Sequence, residues 1–236
     1  MILYPAIDML DGKAVRLRQG KREDVTVYGD PVALARQWRA QGAEWLHLVD
    51  LTAAFEGQTR HLALIREVVA AFDGPVELGG GLRTMEDIDL RMEAGVSRVI
   101  LGTVAAEEPT VVQEACNRYP GRIAVGIDAK DGMVATRGWV TSAGMTAIEL
   151  ALRMRALGVT TIIYTDVSRD GMMQGPNVSA TRALIEASGM DVIGSGGVSC
   201  VDDLRNLRDA GCAGAILGKS LYEKAFTLAD ALSAMK

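Results

Sequence analysis

The segment Ile7-Asp8-x-x-Asp11-Gly12 returns later in the chain as Ile127-Asp128-x-x-Asp131-Gly132, which places two aspartates at matching points of two similar halves. Each ends a short apolar run. Two carboxyl groups can divide the work of proton donor and proton acceptor when their surroundings separate their affinities for a proton. An Asp-Gly pair also makes tight turns with no chemistry attached, but duplicate placement at the ends of apolar runs favours function. Thr165 ends another such run and could hydrogen-bond a reacting sugar hydroxyl. Asp170, near the turn of the loop-like segment from Ser168 to Asn177, is a further acid candidate. Asp50 and Asp166 form a second matched acidic pair, equally suited to holding loop backbones or basic neighbours.

A second constellation is built on glycine. Residues Gly80 to Gly102 read GGLRTMEDIDLRMEAGVSRVILG, and Gly196 to Gly218 read GGVSCVDDLRNLRDAGCAGAILG. In both, a Gly-Gly turn leads into a helix-length stretch and then into Ile-Leu-Gly. Backbone N–H groups at such turns, and at the helix starts that follow, can hold an anion. One cradle combines Gly80-Gly81 with Gly102-Thr103; the other combines Gly196-Gly197 with Gly218-Lys219-Ser220. A single glycine pair would serve a tight turn as readily. Two equivalent cradles on opposite sides of one mouth point to an elongated ligand with a phosphate at each end.

The same spacing links Gly42 with Gly158 and Asp50 with Asp166. A period this long marks a duplicated half-domain, since solenoid repeats run about 20–50 residues. Short runs rich in Val, Ile and Leu alternate with helix-length amphipathic segments, the order expected of parallel strands joined by crossover helices. The strand cores are Leu3–Ile7, Trp45–Val49, Val76–Leu78, Arg98–Leu101, Ile123–Ile127, Thr161–Tyr164, Val192–Gly194 and Gly214–Leu217. Eight such units in 236 residues predict one (β/α)8 TIM barrel, spanning 1–236 and built from two duplicated (β/α)4 halves, approximately 1–120 and 121–236. In that ring strands one and five stand opposite each other, so Asp8 and Asp128 should face across the mouth. The segments Gly12–Arg18 and Gly132–Trp139 read as hairpin-like loops above it. Asp30-Pro31 and Thr84-x-x-Asp87 read as helix starts.

Composition narrows the classes. A net charge of -5 gives no general attraction for a nucleic-acid backbone or an anionic membrane. No apolar run is long enough to span a bilayer, and the chain enters the strand pattern MILYPAID without a basic leader, so a cytoplasmic protein is expected. Cys116, Cys200 and Cys212 form no CxxC pair and read as buried or inert thiols. His47 and His61 are too few for a histidine-rich metal site; no metal is expected, and His47 in WLHLVD reads as a structural histidine.

The segments PAIDMLDGKAVRLRQG, GAEWLHLVDL, GGGLR, VGIDAKDG with RGW following, YTDVSRDG, GPN, SGGVS and GKSLYE, in this order and across nearly the whole chain, resemble the phosphoribosylformimino-5-aminoimidazole carboxamide ribotide isomerase family of histidine biosynthesis. The resemblance implies a cofactor-free Amadori rearrangement of a bisphosphorylated aminoaldose to its aminoketose. It implies Asp8 as general base, Asp128 as general acid and Thr165 as their assistant, with Asp170 a possible sharer of the acid role. Trp139 and Arg137 would meet the imidazole and its carboxamide, Gly175 would join the ligand-binding set, and Arg18 and Arg83 are placed for anions. The family often carries Gln where this chain has Glu77, a departure that leaves the catalytic matches undisturbed. A small-molecule substrate, no nucleic acid, no membrane and a monomer are the partners expected.

Three other readings compete. A dual-substrate isomerase also acting on phosphoribosylanthranilate would use the same aspartates. The cyclase that follows in the pathway resembles the chain less at its start, where it usually carries Cys in place of Ala6 and needs a lysine that Gly12 to Arg16 does not clearly supply. A binding barrel without turnover would have lost an acid or base, whereas Asp8, Asp128 and Thr165 are all present.

Overall fold

A computed structural model describes residues 1–18, 21–58 and 60–236, with the side chains of Arg18, Lys21 and Glu23 outside the description. The first half of the chain forms β1 (Ile2–Leu10), β2 (Lys13–Arg18), β3 (Lys21–Gly29), α1 (Pro31–Ala40), β4 (Leu46–Asp50), α2 (Leu51–Glu56), α3 (Leu62–Phe72), β5 (Val76–Gly79), α4 (Met85–Glu93), β6 (Arg98–Leu101), α5 (Thr103–Glu107) and α6 (Pro109–Arg118). The second forms β7 (Ile123–Lys130), β8 (Met133–Thr136), β9 (Thr141–Thr146), α7 (Ala147–Ala156), β10 (Thr161–Asp166), α8 (Val178–Ser188), β11 (Asp191–Ser195), α9 (Val201–Asp209), β12 (Gly214–Leu217), α10 (Lys219–Tyr222) and α11 (Leu228–Ala234).

Eight of these strands pair in parallel around a closed ring, in the order β1, β4, β5, β6, β7, β10, β11, β12 and back to β1. This is the TIM barrel expected from the alternation of apolar runs and amphipathic segments. Closure removes every exposed strand edge from the ring. The remaining strands are the hairpins: β2 and β3 extend β1, and β8 and β9 extend β7, all antiparallel.

Strand alternation sorts side chains into two cores. Residues such as Leu3, Ile7, Leu46, Leu48, Val99 and Leu101 point outward into the large core beneath the helices. Tyr4, Ala6, Ile100, Ala124, Ile163, Ile193 and Ile216 fill the interior of the ring. Because a strand repeats every second residue, the next inward place after Ala6 is Asp8, after Ala124 and Gly126 is Asp128, and after Ile163 is Thr165. The period that builds the inner core thus carries three polar side chains to one end of the barrel.

Helix starts follow their capping residues. Asp30 accepts from the N–H groups of Val32 and Ala33, and Thr84 forms a reciprocal capping box with Asp87. Each cap is worth about 1 kcal/mol. Of the three thiols, Cys212 is buried and Cys116 half-buried, while Cys200 is exposed at the N-cap of α9.

Candidate active site

The two hairpins set the geometry of the mouth. Asp11 and Gly12 take φ of 49° and 78°, and Asp131 and Gly132 take 52° and 79°. Positive φ at both central residues is the turn whose twist suits a tight hairpin, which explains Asp-Gly in both places. β2 thereby folds back so that Val15 lies opposite Asp8. The next residue, Arg16, donates from Nη1 to Asp8 Oδ2 at 2.8 Å and from Nη2 to the Ala6 carbonyl at 2.7 Å. The Tyr222 ring lies 5.1 Å from the guanidinium, and its hydroxyl donates to the same carbonyl at 2.8 Å. Burial works against the charge on Arg16, but Asp8 beside it prevails, and the guanidinium holds its proton more tightly than usual.

Asp128 has different company. Its Oδ2 accepts from the indole N–H of Trp139 at 2.8 Å, and it pairs in register with Thr165, whose hydroxyl also bonds it. Burial pushes the Asp128 carboxyl up; the bonds from Trp139 and Thr165 and the nearby His47 oppose without cancelling. The indole reaches this position because Arg137 and Trp139 both adopt left-handed backbone, with φ of 54° and 72°. Side chains of this size avoid that region, so the turn holds them there against a local cost of about 1–3 kcal/mol each.

Asp170 joins the same mouth. Burial raises its carboxyl to about 6, opposed by Arg16 and reinforced by the charges of Asp8 and Asp128. Its backbone is fixed by an N–H bond to the Asp166 carbonyl at 3.1 Å. Asp50 and Asp166 hold loops: Asp50 caps α2 through the Ala53 N–H, and Asp166 accepts from the Ser168 N–H and hydroxyl and from Asn177 Nδ2. Burial alone would raise Asp166, but these bonds outweigh it and hold the carboxyl below its usual range.

At the glycine turns the backbones approach too closely for a side chain. A Cβ on Gly81 would sit 2.5 Å from Ala53 Cβ, and one on Gly197 would sit 2.4 Å from the Gly175 carbonyl oxygen. Gly80 and Gly196 lie beside the backbones of Asp50 and Asp170. The strand-end glycines differ, since a Cβ on Gly102 would meet nothing within 4 Å. Gly102 and Gly218 share nearly one conformation, φ and ψ of -96° and -109° against -103° and -110°, directly before α5 and α10. Thr103 accepts from the Arg137 N–H at 3.0 Å, Lys219 donates to the Gly171 carbonyl at 3.1 Å, and Ser220 is buried.

Several named residues stand apart from the acid pair. Arg137 is exposed and pairs with Glu107 at 2.8 Å, and Arg83 is exposed with Nη2 3.4 Å from the Ala54 carbonyl. The Gly175 N–H donates to the Gly197 carbonyl at 2.9 Å, so it braces the second cradle from behind. The Arg18 side chain lies outside the described residues. Sequence reasoning passed over Arg16 in favour of Arg18. Spacing alone does not single out Arg16; the register of β2 against β1 places it beside Asp8. An open groove lined by Cys200, Asp202, Arg205, Asp230 and Ser233 lies outside the ring, beside α9 and α11. Among the described residues no helix is long and apolar enough to cross a membrane.

Comparison with known proteins gives a consistent picture. A family model described as histidine biosynthesis protein matches residues 2–227. A Paracoccus denitrificans protein is 53% identical over 237 residues, covering 100% of both chains. One from Geobacter sulfurreducens is 52% identical over 100% of this chain and 98% of its own. A third, from Thermodesulfovibrio yellowstonii, is 51% identical over 100% of this chain and 98% of its own. All three carry the name 1-(5-phosphoribosyl)-5-((5-phosphoribosylamino)methylideneamino) imidazole-4-carboxamide isomerase.

Proposed function

This chain belongs to the histidine biosynthesis protein family, and from that premise we propose that it is the isomerase its relatives are named for, converting a bisphosphorylated aminoaldose to its aminoketose by an Amadori rearrangement. The observation that carries the chemistry is the pair of opposed strand-end aspartates in unlike surroundings, Asp8 against a guanidinium and Asp128 against neutral donors.

A carboxyl whose hold on its proton is strengthened by burial suits the first step. Asp128 protonates the furanose ring oxygen, the bond from that oxygen to C1 breaks, and a Schiff base forms between C1 and the attached nitrogen. Thr165 orients the Asp128 carboxyl through its hydroxyl. Asp8 then removes the C2 proton, and the electrons move toward nitrogen to give an enolamine. Arg16 holds the Asp8 carboxylate in place beforehand. Ketone formation at C2 completes the isomerisation. Asp170, raised to about 6, shares the acid duty at this mouth. The cradles at Gly80-Gly81 with Gly102-Thr103 and at Gly196-Gly197 with Gly218-Lys219-Ser220 receive the two phosphates, and Trp139 swings from Asp128 onto the imidazole.

The protein works in the cytoplasm as a monomer on a small molecule, a reading supported by its net charge of -5 and a mouth composed within one ring. The two half-barrels meet near residue 120, between α6 and β7. Steady-state conversion of the aminoaldose in metal-free buffer, with phosphoribosylanthranilate in parallel, tests the proposal. Turnover of the first alone is expected. Turnover of both would widen the substrate range, and turnover of neither by folded protein would overturn the reading.

A further inference from the structure

The first glycine cradle rests on two carboxylates. A Cβ on Gly80 would sit 2.3 Å from the Asp50 carbonyl oxygen, so this turn lies against the residue whose carboxylate caps α2. Just past the turn, the N–H groups of Arg83 and Thr84 donate to Asp87 Oδ2 at 3.1 and 3.0 Å. Both carboxylates serve the backbone, and the charge of each opposes an anion held at Gly80-Gly81.

The second half has the same two carboxylates, Asp166 and Asp203, at the matching places. There Asp166 accepts from the Ser168 N–H and hydroxyl and from Asn177, with Arg169 Nε at 3.9 Å. Its cradle also contains a cation, Lys219, where the first cradle has Thr103. The first half lacks these aids. Asp50 is fully buried; its Oδ1 accepts from the Ala53 N–H at 3.0 Å, and its Oδ2 has no hydrogen-bond partner among the described residues. His61 Nδ1 stands 3.5 Å from that Oδ1 and makes no hydrogen bond among them either.

What the first half has instead is Arg91. It is fully buried on α4, at the place where the second half has Leu207. Its Nη1 is 3.5 Å from the Asp87 carbonyl oxygen and 4.0 Å from Asp87 Oδ1, and the guanidinium is near enough to Asp50 to feel its charge. Its Nε and Nη2 are buried with no hydrogen-bond partner among the described residues. Burying a guanidinium is costly, and a leucine serves the packing at the matching place, so hydrogen bonding and packing do not account for the charge.

We propose that Arg91 is a positioning residue for the first phosphate: its buried charge offsets those of Asp50 and Asp87, so that the Gly80-Gly81 turn can receive an anion with two carboxylates behind it. Arg91 touches no ligand. The proposal rests on the isomerase reading and on a phosphate in this cradle, and each has its own control. Absence of wild-type turnover would defeat the first. An unchanged KM in folded Gly102→Ala, whose methyl enters the cradle itself, would defeat the second and this proposal with it.

Two unit charges about 10 Å apart, at an effective dielectric constant of about 20, change an equilibrium constant by roughly tenfold. Arg91→Leu is therefore expected to raise KM for the aminoaldose about tenfold, with kcat within about threefold of wild type. Adding Asp50→Asn to that variant should reverse most of the rise, because asparagine keeps the α2 cap and drops the charge. A defect of packing alone would not be rescued in this way. Where Arg91→Leu fails to fold, Asp50→Asn by itself decides: the guanidinium left without that counter-charge favours the anion, and KM should fall by about threefold or more. An unchanged KM in folded Arg91→Leu, a rise that Asp50→Asn leaves in place, or an unchanged or raised KM in Asp50→Asn alone would overturn the assignment.

Discussion

The two hairpins of the barrel mouth share a backbone and differ in charge. Asp11 and Asp131 turn with φ within a few degrees of each other, yet the first hairpin delivers a guanidinium to Asp8 and the second delivers an indole to Asp128. The residue standing eight places after Asp8 is Arg16; the one standing eight places after Asp128 is the buried Thr136. One cation present in one half and missing from the other makes two equivalent carboxylates unequal. Duplication supplies two matched carboxylates, and divergence at single side chains supplies the unlike surroundings on which the proposed division into acid and base rests. The same contrast recurs deeper down. Arg91 is fully buried beside Asp50 and Asp87, where its counterpart in the second half is Leu207. Burial lowers the proton affinity of Arg91, and Asp50 and Asp87 oppose that without cancelling it. Asp50 and Asp166 also part company, one capping a helix and the other tying down a loop.

The sharpest way to break this contrast is to neutralise each carboxyl in turn. Asp8→Asn and Asp128→Asn should each lower kcat by about 10²–10⁴-fold while ligand affinity persists, as steady-state kinetics beside calorimetric titration would reveal. Equal, undiminished turnover in either would remove that residue from the chemistry.

The cradles offer a steric version of the comparison. Gly197→Ala places a methyl 2.4 Å from the Gly175 carbonyl at a φ of 85°, so a loss of roughly 3–5 kcal/mol in denaturant unfolding is expected. Gly102→Ala meets nothing within 4 Å, but its φ and ψ of -96° and -109° lie outside the regions open to alanine, so a smaller loss of about 1–3 kcal/mol is expected while KM rises, because the methyl enters the space assigned to phosphate.

Asp170 belongs to the second half alone, since Ala54 stands at the matching place of the first. Its carboxyl, raised by burial to about 6, binds a proton more tightly folded than unfolded. Its contribution to stability is therefore full below about pH 4, the unfolded value, and is lost as pH rises through about 6. Asp170→Asn should remove that fall, gaining up to about 2 kcal/mol at neutral pH relative to wild type, and urea titrations from pH 4 to 7 would measure it. The mildest change is Trp139→Phe. Without the indole N–H the Asp128 carboxyl loses a bond that favours its charged form, so the alkaline limb of the kcat/KM profile should move to higher pH. A limb that stays in place would mean that Trp139 does not act on Asp128 in the free enzyme.

Much of the barrel was legible before any coordinates. All eight parallel strands fall where Val, Ile and Leu cluster, and differ from expectation by up to three residues at their ends, as at β1, which runs to Leu10 instead of Ile7, and β7, which runs to Lys130 instead of Ile127. The hairpins were legible as loops and proved to be four further strands, because pairing across an Asp-Gly turn depends on what the returning segment meets. Asp8, Asp128 and Thr165 could be placed at strand ends by counting. Arg16 could not be told from Arg18 by spacing, and the bond of His47 to Glu77, which Arg98 holds in turn, joins residues of three strands that no local pattern links.

Local rules therefore suffice for the parts that depend on neighbours along the chain: the alternation of strand and helix, the tight Asp-Gly turns, the helix caps and the inward face on which each carboxylate must emerge. Closing the ring was needed for everything that depends on distance across it. The hairpins bring Arg16 to Asp8 and Trp139 to Asp128, whereas only the closed ring puts Asp170 within reach of the charges of both aspartates. Proton affinity follows from burial and from partners remote in sequence, and both exist only once the strands have met.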